Sequence, residues 1–236
     1  WKEDGHCEIL YEDCEEIEAV PYDMMISGGD SDAVSQLRLW RARDTQKFDM
    51  SLFTQGQYAR AVENATNAEI ISKVLYPSDA HDEGKLLRLS QQYFLVSASI
   101  QDILTRHIRT YSTLENLHEK VAIHINDTHP ALSIPELMRF LLDECGYSWE
   151  KSWNIVTKTV AYTNHTVMSE ALECWPIDLF RERLPRIYQI VCEIDRRFRE
   201  EVMTVSGDRN MVERTAIISG GVVKMANLCV AASHCV

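Results

Sequence analysis

VAIHINDTHPALSIPELMRFLLDE, Val121 to Glu144, decides how the chain is read. An apolar run (Val121, Ile123, Ile125) stops at Asn126-Asp127-Thr128-His129-Pro130, and a helical pattern over 134–144 follows at once. A second unit repeats the theme: a helix over 149–158, a strand in TVAYTN, and a polar cluster at Thr163-Asn164-His165-Thr166. Strands alternating with helices predict an α/β layer with a parallel sheet. Sites in such sheets lie beyond the carboxyl ends of the strands. Both polar clusters fall at predicted strand ends.

Two more helices follow at about 176–182 and 184–203, then a short strand near 216–219 and a last helix from about 222. Gly220-Gly221 reads as a helix–strand turn. Upstream, residues 6–22 predict two short strands, HCEIL and EEIEAV, joined by an acidic turn over 11–14. A Gly-Gly-Asp-Ser-Asp loop at 28–32 leads into QLRLWRAR, where charged and apolar residues alternate. Residues 57–74 form a helix with a thin apolar stripe, the pattern of an element that projects or meets a partner. Tyr76-Pro77-Ser78-Asp79 breaks it, because proline disfavours helical geometry in the residue before it. A long helix from about 83 to 108 carries Leu86, Leu89, Tyr93, Val96, Ile100 and Leu104 on one face, and 110–119 is a loop with a short helical piece. No linker or repeat divides the chain, which predicts a single domain or part of one.

The chain has 236 residues, enough to bury a full core. Its net charge of −12 excludes nucleic acid and anionic membranes as partners, since both are bound through Lys and Arg. Part of that charge is local: residues 1–18 hold eight carboxylates against one lysine, a solvated acidic edge. Seven cysteines at 7, 14, 145, 174, 192, 229 and 235 show no metal-ligand spacing, which fits reduced thiols in a cytoplasm. No apolar run is long enough to span a bilayer. The chain starts at Trp1 and stops at Val236 within an apolar run, so both ends look cut.

The two clusters allow two readings. Asp127, Thr128 or Asn164 can cap helices, and His165 can be a core histidine. Alternatively, an Asp–His pair such as Asp127 and His129 fixes an imidazole tautomer and presents hydrogen bonds to a polyol. Glu136, Glu170 and Glu173, near the two histidines in sequence, fit first-turn carboxylates. The eight histidines form no H-E-x-x-H or similar zinc grouping. Walker, G-x-S-x-G and G-x-G-x-x-G patterns are absent too. Residue chemistry alone therefore reaches an α/β chain with a candidate polar pocket and no identified substrate.

Longer motifs go further. AVPYD, LRLWRAR, LYPSDAHDEGKLLRLSQQYF, VAIHINDTHPALSIPELMRFLLDE, AYTNHTVMSEALECWPIDL and MANLCVAASHCV, in this order along the chain, resemble the α-glucan phosphorylases of glycogen, starch and maltodextrin. The resemblance covers essentially the whole chain and places it in the latter part of that family's Rossmann-like (GT-B type) N-terminal domain. It implies a parallel or mixed sheet flanked by helices. It also implies an enzyme that releases α-glucose 1-phosphate from α-1,4-glucan ends with inorganic phosphate, using the phosphate of pyridoxal phosphate to relay a proton.

By motif, His165 matches the catalytic-site histidine that bonds the glucosyl 6-hydroxyl, its carbonyl supporting the cationic transition state, and Asn164 lies beside it. Asp127 and His129 match residues bordering the glucan path. Residues 76–84 match a gate loop with Asp79 near the sugar, and 57–74 match a tower helix that pairs with its mate in a homodimer. Ala80-His81 departs from the usual asparagine after the gate aspartate. Thr105-Arg106 has one arginine where AMP-regulated members have two, while Ser169 and Cys174 replace a common Pro and Arg. The family's pyridoxal-phosphate lysine lies in a C-terminal domain outside this stretch, so the chain alone is expected to be inactive. A non-catalytic glucan-binding or dimerisation module is the alternative.

Overall fold

A computed structural model describes residues 9–236 except 13, 47 and 167. Most of the predicted strand HCEIL therefore lies outside the described residues. The chain divides into two units, Leu10–Ala98 and Ser99–Val236 with Ile9.

In the first unit, β1 (Ile17–Ser27) and β2 (Val34–Asp44) form an antiparallel hairpin with register Ile17↔Asp44 through Ser27↔Val34. β1 thus extends beyond EEIEAV, through Pro21. A two-stranded ribbon tolerates this because each strand has an edge that needs no N–H donor. Helix α1 (Met50–Thr54) is capped by Asp49, whose carboxylate accepts from the amides of Ser51 and Leu52, both at 2.9 Å. Helix α2 (Tyr58–Lys73) occupies the span expected for 57–74 and buries only Ala61, Ala68 and Ile71. Ser72 Oγ accepts from the amide of the fully buried Ala42 at 2.9 Å, which ties α2 to β2. After α2, Tyr76 takes φ +56° just before Pro77, and helix α3 (Asp82–Tyr111) begins. Leu89, Val96, Ile100 and Leu104 are buried along it, as their spacing predicts.

The second unit runs α4 (Leu117–Lys120), β3 (Ile123–Asn126), α5 (Ser133–Arg139), α6 (Trp149–Thr159), β4 (Val160–Thr163), β5 (Cys174–Pro176), α7 (Ile177–Arg183), α8 (Pro185–Ser206), α9 (Arg209–Thr215), β6 (Ile218–Ser219), β7 (Val222–Lys224) and α10 (Met225–Ala232). β3 and β4 pair in parallel, Ile123↔Val160 to Asn126↔Thr163. The free edge of β4 is met by the segment after α10: the backbone N–H of Tyr162 donates to Cys235 O at 2.9 Å, and the backbone N–H of His234 donates to Val160 O at 3.1 Å. β5, β7 and β6 form a separate antiparallel sheet in that order. The architecture is α/β, with small sheets flanked by helices.

Two local expectations are corrected here. Residues 222–224 are a strand, so the last helix begins at Met225. Gly220-Gly221 joins two strands rather than a helix and a strand. Ser219 pairs with Val222, and both glycines take positive φ, +60° and +79°. Such a two-residue link needs left-handed geometry at both positions, which glycine adopts without strain.

The core of this unit gathers on α5, all of whose residues are buried. Leu132, Ile134, Leu137, Met138 and Leu141 are fully buried, each contributing about 1.5–3 kcal/mol by leaving water. Glu136 is buried as well, and Arg139 grips it with two bonds of 2.8 and 3.1 Å. α5 continues into a π-helical turn, Phe140–Glu144, closed by Cys145 N–H donating to Phe140 O at 3.1 Å. That turn brings Glu144 to Arg139 at 2.9 Å. On α8, the buried Asp195 accepts from the amides of Ile217 (2.7 Å) and Ile218 (3.2 Å) and from Arg199 Nε (2.8 Å). It thereby pins β6 to the helix.

Candidate functional site

Alternation along β3 and β4 sorts their side chains onto two faces. Ile125, Val160 and Tyr162 point into the core, while His124, Asn126 and Thr163 share the open face. Because the strands are parallel and adjacent, their carboxyl ends lie side by side, and the two polar clusters meet there. Asp127 N–H donates to Thr163 O at 2.8 Å, one step beyond the last strand pair. His124 Nε2 meets Thr163 Oγ1 at 2.6 Å, and His165 Nε2 meets Asn126 Oδ1 at 2.5 Å. The two bonds are the same diagonal repeated two residues further along.

Asp127 then turns the chain with φ +62°, a left-handed geometry that Asp and Asn tolerate better than other side-chain-bearing residues. Its Oδ1 accepts from Thr128 N–H at 2.6 Å and Thr128 Oγ1 at 3.3 Å. Helix α5 has no side-chain cap, so the polar residues of NDTHP do not serve to start it. This removes the simplest structural explanation for the cluster. Asn164 is occupied locally: its Nδ2 donates to Thr166 O at 2.7 Å, folding the exposed Asn164–Thr166 turn that presents His165. His129 is exposed just past the turn. Glu170 is exposed, and Glu173 is half-buried beside β5.

Beneath the site lies Tyr162, whose hydroxyl makes no hydrogen bond to a described residue. Burial, followed by the thiol of Cys229 and the carboxylate of Asp127, pushes its hydroxyl up to about 12. Burial chiefly, aided by Glu173 and Asp127, likewise pushes the Cys229 thiol far above its ordinary range. Both groups therefore stay protonated at neutral pH. They form a neutral floor under a rim of amide, imidazole, hydroxyl and carboxylate groups. Such a rim suits a neutral polyol, offering donors and acceptors without a strong field.

Asp79 belongs to the other unit, where it bonds Arg88 Nη1 at 2.8 Å. That unit also has a cavity of about 520 Å³ lined in part by Tyr22, Trp40, Arg41 and Glu69, and none of the sequence-predicted site residues lines it. Sequence reasoning missed Asn126, His124 and Tyr162. Asn126 was the most accessible of these, a polar residue ending an apolar strand, but only the strand register reveals its partner.

Among the described residues, no group of three or more His, Cys, Asp or Glu side chains is placed to hold a metal ion. The strand ends do not fit pyridoxal phosphate either. Its aldehyde needs a lysine amine, and neither 123–130 nor 160–166 contains a lysine. The carboxylate of Asp127 would also oppose a phosphate there.

The family model for carbohydrate phosphorylase matches residues 1–236. The chain belongs to the carbohydrate phosphorylase family. It is 50% identical over 208 residues to glycogen phosphorylase of Pasteurella multocida (strain Pm70), covering 88% of this chain and 25% of that protein. To glycogen phosphorylase of Bacillus subtilis (strain 168) it is 46% identical over 233 residues, 98% of this chain and 28% of the relative. The muscle form of Ovis aries is 44% identical over 238 residues, 95% and 28% of the two chains. The chain thus spans little more than a quarter of the length of these phosphorylase relatives.

Proposed function

We propose that this chain is part of an α-1,4-glucan phosphorylase, supplying the sugar-side wall of the site that releases α-glucose 1-phosphate with inorganic phosphate. The observation that carries this reading is the meeting of Asn126-Asp127 with Thr163 and His165 at the ends of two parallel strands. His165 is the residue at the glucosyl unit, Asp127 and His129 border the glucan path, and Asn164 shapes the turn that holds His165. Asp79 acts from the gate loop over 76–84. The α/β layers belong to a Rossmann-like, GT-B type N-terminal domain. Pyridoxal phosphate is held by residues other than those gathered here, so the isolated chain is inactive.

Helix α2 buries little of its surface and leaves Tyr58, Val62 and Ile70 exposed, which supports a homodimer contact over 57–74. Scattered free cysteines support a cytoplasmic setting. No helix of the described residues is long and apolar enough to cross a membrane.

The test is glucose 1-phosphate release from maltoheptaose and phosphate with added pyridoxal phosphate. The 236-residue chain is compared with the protein extended along its natural reading frame. Activity is expected only in the extended protein, falling on the order of a hundredfold or more in His165→Ala, the scale of losing one positioned group. Activity in the short chain would overturn the placement of the machinery. Silence in both, with retained glucan binding, would make the chain a binding module.

A further inference from the structure

We propose that Asn126 is a positioning residue: it fixes His165 as the Nε2–H tautomer, so that Nδ1 accepts a hydrogen bond from a sugar hydroxyl and does not donate one. This rests on the reading of His165 as the glucosyl-site residue.

The inference starts from the 2.5 Å contact between His165 Nε2 and Asn126 Oδ1. An amide oxygen has lone pairs and no proton, so the proton in that contact sits on Nε2. A neutral imidazole carries one ring proton, which leaves Nδ1 with a lone pair. Asn126 is well placed to enforce this. It is the last residue of β3, paired in register with Thr163, and the next amide, that of Asp127, donates to Thr163 O at 2.8 Å. The neighbouring diagonal, His124 to Thr163 at 2.6 Å, runs across the same open face. His165 comes from the turn folded by Asn164 and Thr166. The ring is therefore held from two sides, by its own turn and by the end of the adjacent strand.

The consequence is selectivity by hydrogen-bond direction. A hydroxyl can donate to Nδ1, whereas a fluorine of similar size in its place cannot. A site that accepts only from a donor rejects the fluoro analogue, because an acceptor covered by the bound sugar is then left without its partner.

The experiment uses the protein in its full natural frame. The ratio of kcat/KM for glucose 1-phosphate to that for 6-deoxy-6-fluoro-glucose 1-phosphate is measured in the direction of glucan synthesis. Alongside, the ¹⁵N shifts of the His165 ring are recorded at a pH where it is neutral. The wild type is expected to show the Nε2–H tautomer and a ratio of about ten or more, the worth of one hydrogen bond. Asn126→Ala is expected to give mixed tautomers and a ratio moved towards one. Asn126→Asp keeps an oxygen acceptor and retains the proton on Nε2. A wild-type ring protonated on Nδ1 overturns the proposal without any variant. So does an Asn126→Ala protein with unchanged ring shifts and ratio; if His165→Ala is still severely impaired, the functional reading survives that failure. A harmless His165→Ala would instead sink the functional reading, and the proposal with it.

Discussion

Asp195→Ala removes three bonds at once. Oδ1 accepts from the amides of Ile217 and Ile218, and Oδ2 accepts from Arg199. Ile217 is fully buried, so its amide loses its partner where water cannot replace it, at about 1–3 kcal/mol. Breaking a buried ion pair costs about 3–5 kcal/mol when one charge is stranded. Arg199 is not stranded, because Glu213 at 2.9 Å and the carbonyl of Ile218 still hold it. That part is therefore reduced to about half or less. The sum is about 2–5 kcal/mol, a factor of about thirty or more in the folding equilibrium. Asp195→Asn keeps an oxygen acceptor for both amides but sets an NH2 donor opposite Arg199 Nε, so it loses the charge and that one bond, at about 1–3 kcal/mol. Urea unfolding gives the total, and hydrogen exchange at Ile217 and Ile218 gives its location. Faster exchange is expected at both amides in Asp195→Ala and much less so in Asp195→Asn. An Asp195→Ala protein within about 1 kcal/mol of wild type would refute this reasoning, as would unchanged exchange at both amides.

Two further predictions follow from local geometry. At Gly220 (φ +60°) and Gly221 (φ +79°) an added methyl meets nothing within 4 Å, so alanine at either costs only left-handed strain, about 1–2 kcal/mol by thermal unfolding. Asparagine at 221 is expected to cost less than alanine. On α8, Arg196 first, and Arg197, hold the Glu193 carboxyl down to about 2, against burial that opposes them. A lowered pKa means a contribution that is fully present above the unfolded value near 4.5 and is lost as pH falls through 2. The melting temperature of Glu193→Gln is therefore expected to lie below wild type at pH 6 and to converge on it as pH falls towards 2.

The strand ends were legible because their signal is contrast: apolar residues stop and polar, turn-forming residues begin. Asn126 and Asp127 mark one such edge, Thr163 and Asn164 the other. Their partnership was not legible. It depends on a parallel register that pairs Asn126 with Thr163, and nothing local in either segment encodes that offset. β5 and β7 escaped notice because strands of three residues are shorter than the alternation that would reveal them. Val222-Val223 looked instead like the opening of the apolar helix that follows. Asp195 sits in a stretch of charged residues, CEIDRRFREE, and reads as solvated until α8 is packed against β6. Asp79 is singled out by motif alone, since a carboxylate in a loop after a proline carries no chemistry of its own.

The π-helical turn at Phe140–Glu144 governs what lengths of chain this region accepts. Successive residues of an α-helix are rotated by about 100°, so residues five apart sit about 140° from each other round the axis. Arg139 and Glu144 are five apart and yet bonded at 2.9 Å, because the wider turn carries a supernumerary residue. The turn takes up that extra residue while keeping the two sides of the helix in phase. A chain one residue shorter between 140 and 144 would regain regular α-helix. Glu144 would then stand four residues from Arg139, about 40° round the axis, so the pair keeps its bond and the helix beyond keeps its phase. A strand register would lose its pairing to such a deletion, whereas this helix interior has one residue to spare.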